Sequence, residues 1–108
     1  MIIREWHGRA DPANAHAYPA HFRAVVLPEL RHVPGFLGAH LARRQIDERI
    51  EFLLLTRWRT LDSIRAFAGD NIAKAVVEPG AVAALEDFDA TVQHYEILEE
   101  ADSPAEQG

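Results

Sequence analysis

Histidine is the residue type in this sequence best suited to moving a proton near neutral pH, because its ordinary pKa is about 6.5. His40 and His94 fall in predicted strands and are expected to be able to approach each other across a sheet. Two histidines alone are nevertheless a weak indication of a metal site. The residues therefore favour acid–base chemistry over metal chemistry. The six histidines are His7, His16, His21, His32, His40 and His94.

Several other kinds of active site are excluded or unsupported by the residue types. No cysteine is present, which excludes disulfides, thiolate zinc sites, iron–sulfur clusters and cysteine nucleophiles. The sequence contains no HExxH pair, no serine nucleophile elbow, no phosphate-binding glycine loop and no pair of carboxylates at cleft-like spacing. Gly69-Asp70 is interpreted as a helix stop. A metal enzyme, a hydrolase or a kinase is therefore not supported.

The composition is that of one soluble globular domain. The 108 residues are 48% hydrophobic and 26% charged, with a net charge of −6, and one core is expected at this length. The arginines are scattered, so nucleic-acid binding is not expected. No apolar run approaches the ~20 residues that span a bilayer, and no secretory signal is recognised. The expected location is the cytoplasm, without membrane association.

An acidic tail is expected after the last strand. Residues 99–108 carry no basic residue, and their uncharged positions are small or polar. Such a composition is typical of a flexible segment. The predicted organisation is one folded domain over residues 1–98 and a flexible tail over 99–108. The acidic residues of the tail are Glu99, Glu100, Asp102 and Glu106.

The order of the predicted elements is β-α-β-β-α-β. The first helix begins at Asp11-Pro12, is bent at Pro19 and ends at Pro28. The second helix begins at Thr60 and ends near Phe67. Short helical pieces are predicted over 71–77 and 79–86. Strands are predicted from their β-branched and aromatic residues over 2–9, 36–44, 49–58 and 88–98.

This order is the split βαβ arrangement of ferredoxin-like domains. Helices then cover one face of a four-stranded antiparallel sheet. Apolar residues occur at both odd and even positions of the strands, so both faces of the sheet are expected to be buried. The simplest way to bury the second face is to pack it against the sheet of a second copy. A homodimer is therefore expected. Because neighbouring strand residues point to opposite faces, Trp6 is placed in the dimer interface and His7 towards the helices.

Five segments carry a resemblance to a known family. They are Trp6–Arg9, Val33–Gly38, Glu51–Trp58, Phe67–Ile72 and His94–Leu98. On these segments the chain resembles a bacterial branch of the antibiotic biosynthesis monooxygenase superfamily, a group of dimeric α+β-barrel proteins. The resemblance covers about residues 1–98. It implies the fold, whereas the superfamily hosts several unrelated activities.

Haem-degrading members of the superfamily use an Asn on the first strand, a Trp after the third strand and a His as the iron ligand. The resemblance places His7, Phe67 and Val77 at these positions. None keeps the residue type, and Val77 has no lone pair to offer an iron. No cofactor is therefore implied, while a different haem site that uses His7 stays open.

Quinone-forming members need no cofactor and oxidise a phenolic polycycle with molecular oxygen, using a Trp near the end of the third strand with an Asn and a Tyr beside it. Trp58 matches the Trp, whereas Leu54 and Ile64 stand at the other two positions. The reaction needs a base, and the resemblance places His7 beside the family's pocket. The alternatives are an ordinary structural hydrogen bond for His7 and simple core packing for Trp58.

The resulting hypothesis is a cofactor-independent, monooxygenase-like protein for a small aromatic or quinol-type compound, bound between the helices and the sheet. His7 and Trp58 are the candidate catalytic residues. One alternative is a non-catalytic dimeric binding module for a hydrophobic ligand such as haem. Another is a vestigial pocket too small for a ring system. The predicted pocket residues, whose other role is core packing, are Phe22, Tyr18, Leu54, Ile64 and Phe67.

Overall fold

The computed structural model describes residues 1–104. Residues 105–108, the end of the predicted tail, lie outside the described residues. The strands are β1 (Ile2–Ala10), β2 (Phe36–Ile46), β3 (Arg49–Trp58), β4 (Asp87–Phe88) and β5 (Gln93–Glu96). The helices are α1 (Ala17–His21), α2 (Leu27–Arg31), α3 (Leu61–Ala68) and α4 (Pro79–Ala84), with a 3₁₀ turn at Pro12–Asn14 and a π-helical turn at Phe22–Val26.

The sheet has the predicted ferredoxin-like topology. Its strands are antiparallel in the order β2-β3-β1-β4, and β5 also pairs with β1. β4 and β5 together take the place of the single strand predicted over 88–98. The strand is interrupted because residues 90–92 leave β1 and pair with residues 73–75. The α+β fold expected from the order of elements is confirmed.

The helix predicted over 71–77 is wrong. The Ala75 N–H donates to the Ala90 carbonyl at 2.9 Å, and the Val92 N–H donates to the Ala73 carbonyl at 2.8 Å. Helix propensity differs by only tenths of a kcal/mol per residue, so these long-range backbone hydrogen bonds decide the local conformation. The second predicted piece, over 79–86, is present as the shorter helix α4.

Pro28 does not end the first helix, contrary to expectation. Residues 17–31 form α1, the π-helical turn and α2 without interruption. The N–H after the π-helical turn donates to the Phe22 carbonyl five residues earlier, and this wider turn accommodates the Pro28 ring, which has no N–H to donate. Pro19 lies in the first turn of α1, where an N–H has no partner within the helix. Asp11 caps only the 3₁₀ turn.

None of the helices within residues 1–104 combines the length and the apolar run that crossing a membrane requires.

The even-numbered residues of β1 face the helices. Trp6 is 7% exposed, and its ring centroid lies 5.6 Å from that of Tyr18 in α1. The prediction that Trp6 lies in a dimer interface and His7 towards the helices is therefore wrong: Trp6 faces the helices and His7 faces the other side of the sheet. The physical reason is that the large indole gains more from burial under the helices than an imidazole does.

The core lies between the sheet and the helices. The Trp58 indole N–H donates to the Thr56 hydroxyl oxygen at 2.8 Å, which satisfies a buried donor. The Trp58 ring centroid lies 5.4 Å from that of Phe36 and 5.6 Å from that of Phe67. The largest fully buried side chains are Trp58, Phe52, Leu30 and Ile64.

Gly35 and Gly69 have positive φ angles of 92° and 84°. A Cβ on Gly35 would lie 2.0 Å from the Ser63 hydroxyl oxygen, whereas a Cβ on Gly69 would meet no atom within 4 Å. We expect Gly35→Ala to lower the free energy of unfolding by about 3 kcal/mol and Gly69→Ala by about 1 kcal/mol, measured by urea denaturation. Equal losses would contradict the close packing of the turn before β2 against α3.

Candidate functional site

A small cavity lies between the sheet and the helices. Its volume is about 40 Å³, which suffices for one or two water molecules but not for an aromatic ring, since a cavity that binds benzene measures about 150 Å³. In this state the cavity is closed to a ring system. Its lining residues are Arg4, Trp6, Tyr18, His21, Val26, Leu30, Leu54, Thr56, Phe67, Val76, Glu78, Ala81 and Val92.

Aromatic rings form one wall of this cavity. Trp6 contacts Tyr18 and Phe88, at ring-centroid distances of 5.6 and 6.3 Å. The indole N–H of Trp6 donates to the Asp89 carbonyl at 2.8 Å, which fixes the orientation of the ring. Burial, and then the carboxylate of Glu78, raise the pKa of Tyr18 above its usual range, so the phenol stays protonated. The wall suits the flat face of an aromatic ligand.

Arg4 is a buried cation in the cavity wall, only 5% exposed. Its Nη1–H donates to the Ile72 carbonyl at 2.6 Å and its Nη2–H to the Lys74 carbonyl at 2.9 Å. The guanidinium carbon lies 5.9 Å from the Phe67 ring centroid, within the range of a cation–π contact. Burial lowers the pKa of Arg4 to about 10, so the group is charged at neutral pH.

His94, on β5, is a hydrogen-bond partner of Arg4. Nη1 of Arg4 lies 3.0 Å from Nε2 of His94, and because a guanidinium only donates, Nε2 is the acceptor and carries no proton. Burial, and then the charge of Arg4, lower the pKa of His94. His40 is exposed on β2, where it pairs with Leu55, and it lies on the opposite face of the sheet. The expected approach of His40 to His94 is therefore wrong.

His21 is a candidate functional residue that sequence reasoning did not single out. It is the last residue of α1 and lines the cavity. Its Nε2 atom is buried and has no hydrogen-bond partner among residues 1–104. Gly80 packs against the other edge of the ring, where a Cβ would lie 2.6 Å from Nδ1. A buried ring nitrogen in this position can bond to a ligand or a water.

Glu78 borders the cavity next to His21. Burial raises its pKa most, followed by the charge of Glu29 and a hydrogen bond with that residue, while His21 acts in the opposite direction. The negative charge of Glu29 disfavours ionisation of Glu78, so Glu78 keeps its proton to a higher pH than an isolated glutamate does. His21 and Glu78 together therefore place two groups capable of proton exchange at one side of the cavity.

The cavity brings together some of the predicted pocket residues and not others. Tyr18, Leu54 and Phe67 lie on its wall. Ile64 and Trp58 are completely buried in the core behind the wall. Phe22 lines two surface grooves beside β2 instead. A role in ligand binding or catalysis stays a prediction for each of these residues.

His7 lies on the open face of the sheet, away from the cavity. Its Nδ1 is 3.5 Å from the Asp89 carboxylate and its Nε2 is 3.9 Å from the Glu5 carboxylate. It borders a groove with Leu53 and Arg43. The predicted placement of His7 in a pocket beneath the helices is wrong, because the sheet separates it from that side. A catalytic role for His7 stays a prediction that requires a ligand on the open face.

Within residues 1–104, no three or more histidine, aspartate and glutamate side chains are arranged to hold a metal ion. The polar side-chain groups of the cavity lining are one guanidinium, one imidazole, one carboxyl group, two hydroxyls and the indole N–H of Trp6, which is already bonded to the Asp89 carbonyl. This set suits the binding of a polar aromatic molecule and the movement of its proton.

Residues 1–79 match the family model for antibiotic biosynthesis monooxygenase. The chain belongs to this family. The matched range contains β1, β2, β3 and the first three helices, and with them most of the cavity wall of this antibiotic biosynthesis monooxygenase family member. No curated protein is similar enough in sequence to count as a relative.

Solved structures with the family's fold cover nearly all of the chain. MhuD, a haem degrader from Mycobacterium tuberculosis with two haems bound in its active site, is 19% identical, covers 94% of this chain and 100% of its own, and has a TM-score of 0.60. The ActVA-Orf6 monooxygenase from Streptomyces coelicolor, in complex with nanaomycin D, is 17% identical, covers 96% and 92%, and has a TM-score of 0.59.

SnoaB, a cofactor-independent oxygenase from Streptomyces nogalater, is 18% identical to this family member, covers 95% of both chains and has a TM-score of 0.51. Identities this low establish a shared fold and no shared activity. MhuD binds haem and the ActVA-Orf6 monooxygenase binds nanaomycin D, so the fold alone does not identify the ligand of this family member.

We expect His94 to make the stability of the protein depend on pH. Its pKa is lower in the folded protein than the usual 6.5, so the unfolded state binds more protons as the pH falls, and the free energy of unfolding decreases. Between about pH 7.5 and about pH 5.5, wild-type protein should lose more stability than His94→Gln, which keeps an acceptor for Arg4 but does not titrate. Urea denaturation at both pH values measures this, and equal losses would contradict a half-buried His94 that accepts from Arg4 in its neutral form.

Proposed function

We propose that the protein is a cofactor-independent monooxygenase for a small aromatic or quinol-type compound that binds between the helices and the sheet. The observation that carries the proposal is the combination, in one cavity, of an aromatic wall with the buried Nε2 of His21, which has no hydrogen-bond partner among the described residues. Membership of the antibiotic biosynthesis monooxygenase family supports oxygen chemistry. SnoaB, with the same fold, is an oxygenase that needs no cofactor.

The proposed reaction needs no reductant besides the substrate. A phenol with a hydrogen on its para carbon reacts with O₂ to give a quinone and water, with one oxygen atom in each product. The substrate supplies all four electrons. A base must first remove the phenol proton, because the phenolate is the electron-rich form. In this proposal Nε2 of His21 takes the proton, and Glu78 beside it exchanges the proton with solvent.

The cavity must enlarge before a ring can enter. Its outer wall includes Val76 and Glu78, in the segment before α4, and Val76 is 43% exposed. An outward movement of this wall opens the cavity without breaking a strand pair of β1 and β3. Trp6 and Phe67 then provide a fixed surface for the ring.

Haem fits this site poorly. A porphyrin is many times larger than a cavity of about 40 Å³, and Val77, at the position that the resemblance gives to the iron ligand, has no donor atom. The proposed reaction therefore does not involve haem. Tight binding of an aromatic compound without oxygen consumption would support the alternative function, a non-catalytic binding module.

Oxygen uptake with 1-naphthol and with anthrone, corrected for uptake without protein, tests the proposed activity. We expect His21→Ala to lower kcat at least about 100-fold, which is the size of a lost general base. His32→Ala is the matched control, because His32 is exposed at the end of α2, and it should keep wild-type activity. Loss of uptake in His7→Ala with full activity in His21→Ala would contradict the proposal and move the active site to the open face.

We also propose that two copies associate through the open faces of their sheets. Ile3 of β1 and Leu53 and Leu55 of β3 lie on this face as half-buried apolar side chains. Charged residues border them, with Arg9 bonded to Asp87 and, at 2.8 Å, to Asp89. An apolar centre with a charged rim is typical of a face that packs against another protein surface.

Native mass spectrometry of the purified protein tests this association. Wild-type protein should be a dimer, and Leu53→Glu should give monomers because it places a charge in the apolar centre of the face. Val82→Glu is the control, since Val82 is 50% exposed on α4, and it should stay dimeric. A monomeric wild-type protein would contradict the proposal.

A further inference from the structure

Arg4 differs from the other arginines of the described chain in its burial and in its partners. Arg9, Arg49 and Arg65 each form an ion pair with an aspartate, and all three are more exposed than Arg4. Arg4 is 5% exposed, and among residues 1–104 its hydrogen bonds go to two carbonyls and one neutral histidine. A positive charge is therefore buried in the cavity wall beside neutral acceptors.

Two of the five guanidinium N–H groups remain without a partner in the described chain. Nη1 uses both of its hydrogens on the Ile72 carbonyl and on His94, and Nη2 uses one on the Lys74 carbonyl. The two that remain, on Nε and on Nη2, belong to neighbouring nitrogens of a planar fork. Such a fork matches the two oxygens of a carboxylate.

We propose that the cavity selects aromatic acids, with the ring of the ligand against Phe67 and Trp6 and its carboxylate on the free N–H groups of Arg4. This inference rests on the proposed function and names the substrate class of the same site. Burying a charge without a counter-charge is costly, and a bound carboxylate removes that cost. A neutral ligand of the same shape brings no counter-charge, so the cost of burying the Arg4 charge remains.

Glu78 lines the same cavity and carries the opposite charge, so its position decides how an acid is oriented. Its neighbours are Tyr18, His21 and Glu29, none of which is a polar partner of Arg4. A carboxylate next to Glu78 is repelled, whereas a hydroxyl there can donate to His21. The ligand is therefore oriented with its acid group at Arg4 and its phenol at His21.

Isothermal titration of the full-length protein with 1-naphthoate and with 1-naphthamide tests the inference, because the two probes share a ring and a shape and differ in charge. Wild-type protein should bind 1-naphthoate at least about tenfold more tightly, as expected for hydrogen bonds to a charged group. In Arg4→Gln the two affinities should be within about twofold of each other. Arg65→Gln, on the exposed side of α3, should keep the wild-type preference.

Equal affinities in wild-type protein, no binding of either probe, or an unchanged preference in Arg4→Gln would overturn the inference. Arg4→Gln also loses contacts to Ile72 and Lys74, so a second measurement uses unaltered protein. The Nε–H resonance of Arg4 should shift when 1-naphthoate is added and not when 1-naphthamide is added. A shift with both probes or with neither would overturn the inference.

The proposed function and this inference fail in different ways. Preferential binding of 1-naphthoate through Arg4 without oxygen uptake on any phenol would overturn the oxygenase and leave acid recognition standing. Oxygen uptake on 1-naphthol that is unchanged in Arg4→Gln, together with equal affinities for the two probes, would overturn acid recognition and leave the oxygenase standing.

Discussion

The burial of the Arg4 guanidinium is the constraint on which the cavity depends. Taking a cation out of water costs several kcal/mol, and here the cost is offset by the Ile72 and Lys74 carbonyls and by His94. These bonds hold the chain between α3 and α4 against β1. The same segment pairs through its backbone with residues 90–92, where the last strand is interrupted. Arg4 thus contacts both the segment between α3 and α4 and strand β5, the two parts of the chain that close this side of the cavity.

The cavity combines two polar ends within an otherwise apolar enclosure. Arg4 places a positive charge at the end near β5, while the imidazole of His21 and the carboxyl group of Glu78 lie at the end near α1 and α4. Between them Trp6 presents a ring held by its hydrogen bond to the Asp89 carbonyl. In such a low-dielectric space each polar group acts more strongly on a ligand than it does in water. Because the cavity is smaller than an aromatic ring, its outer wall has to move before a ligand can enter.

The fold was predictable because its signals are local. The apolar run Phe52–Leu55 indicates a buried central strand, and Thr60 indicates a helix start; the structure contains both.

The face of β1 that the helices cover was not predictable. Apolar and polar residues occur at both odd and even positions of this strand, so the alternation of residue types does not distinguish its two faces. Residues 71–77 were misassigned because a distant strand pairing decides their conformation. Nothing in the sequence distinguishes Arg4 from an exposed arginine, because its burial depends on a distant segment of the chain. The spacing of Tyr18 and His21, in contrast, places both residues on one helix face and could have indicated that His21 lies beside the pocket.

The most direct measurement is a crystal structure of the protein with 1-naphthoate bound. We expect the carboxylate on the Nε and Nη2 atoms of Arg4, the ring between Trp6 and Phe67, and Val76 displaced outward from its present position. A ligand seated on the open face beside His7, with the cavity still closed at about 40 Å³, would contradict it.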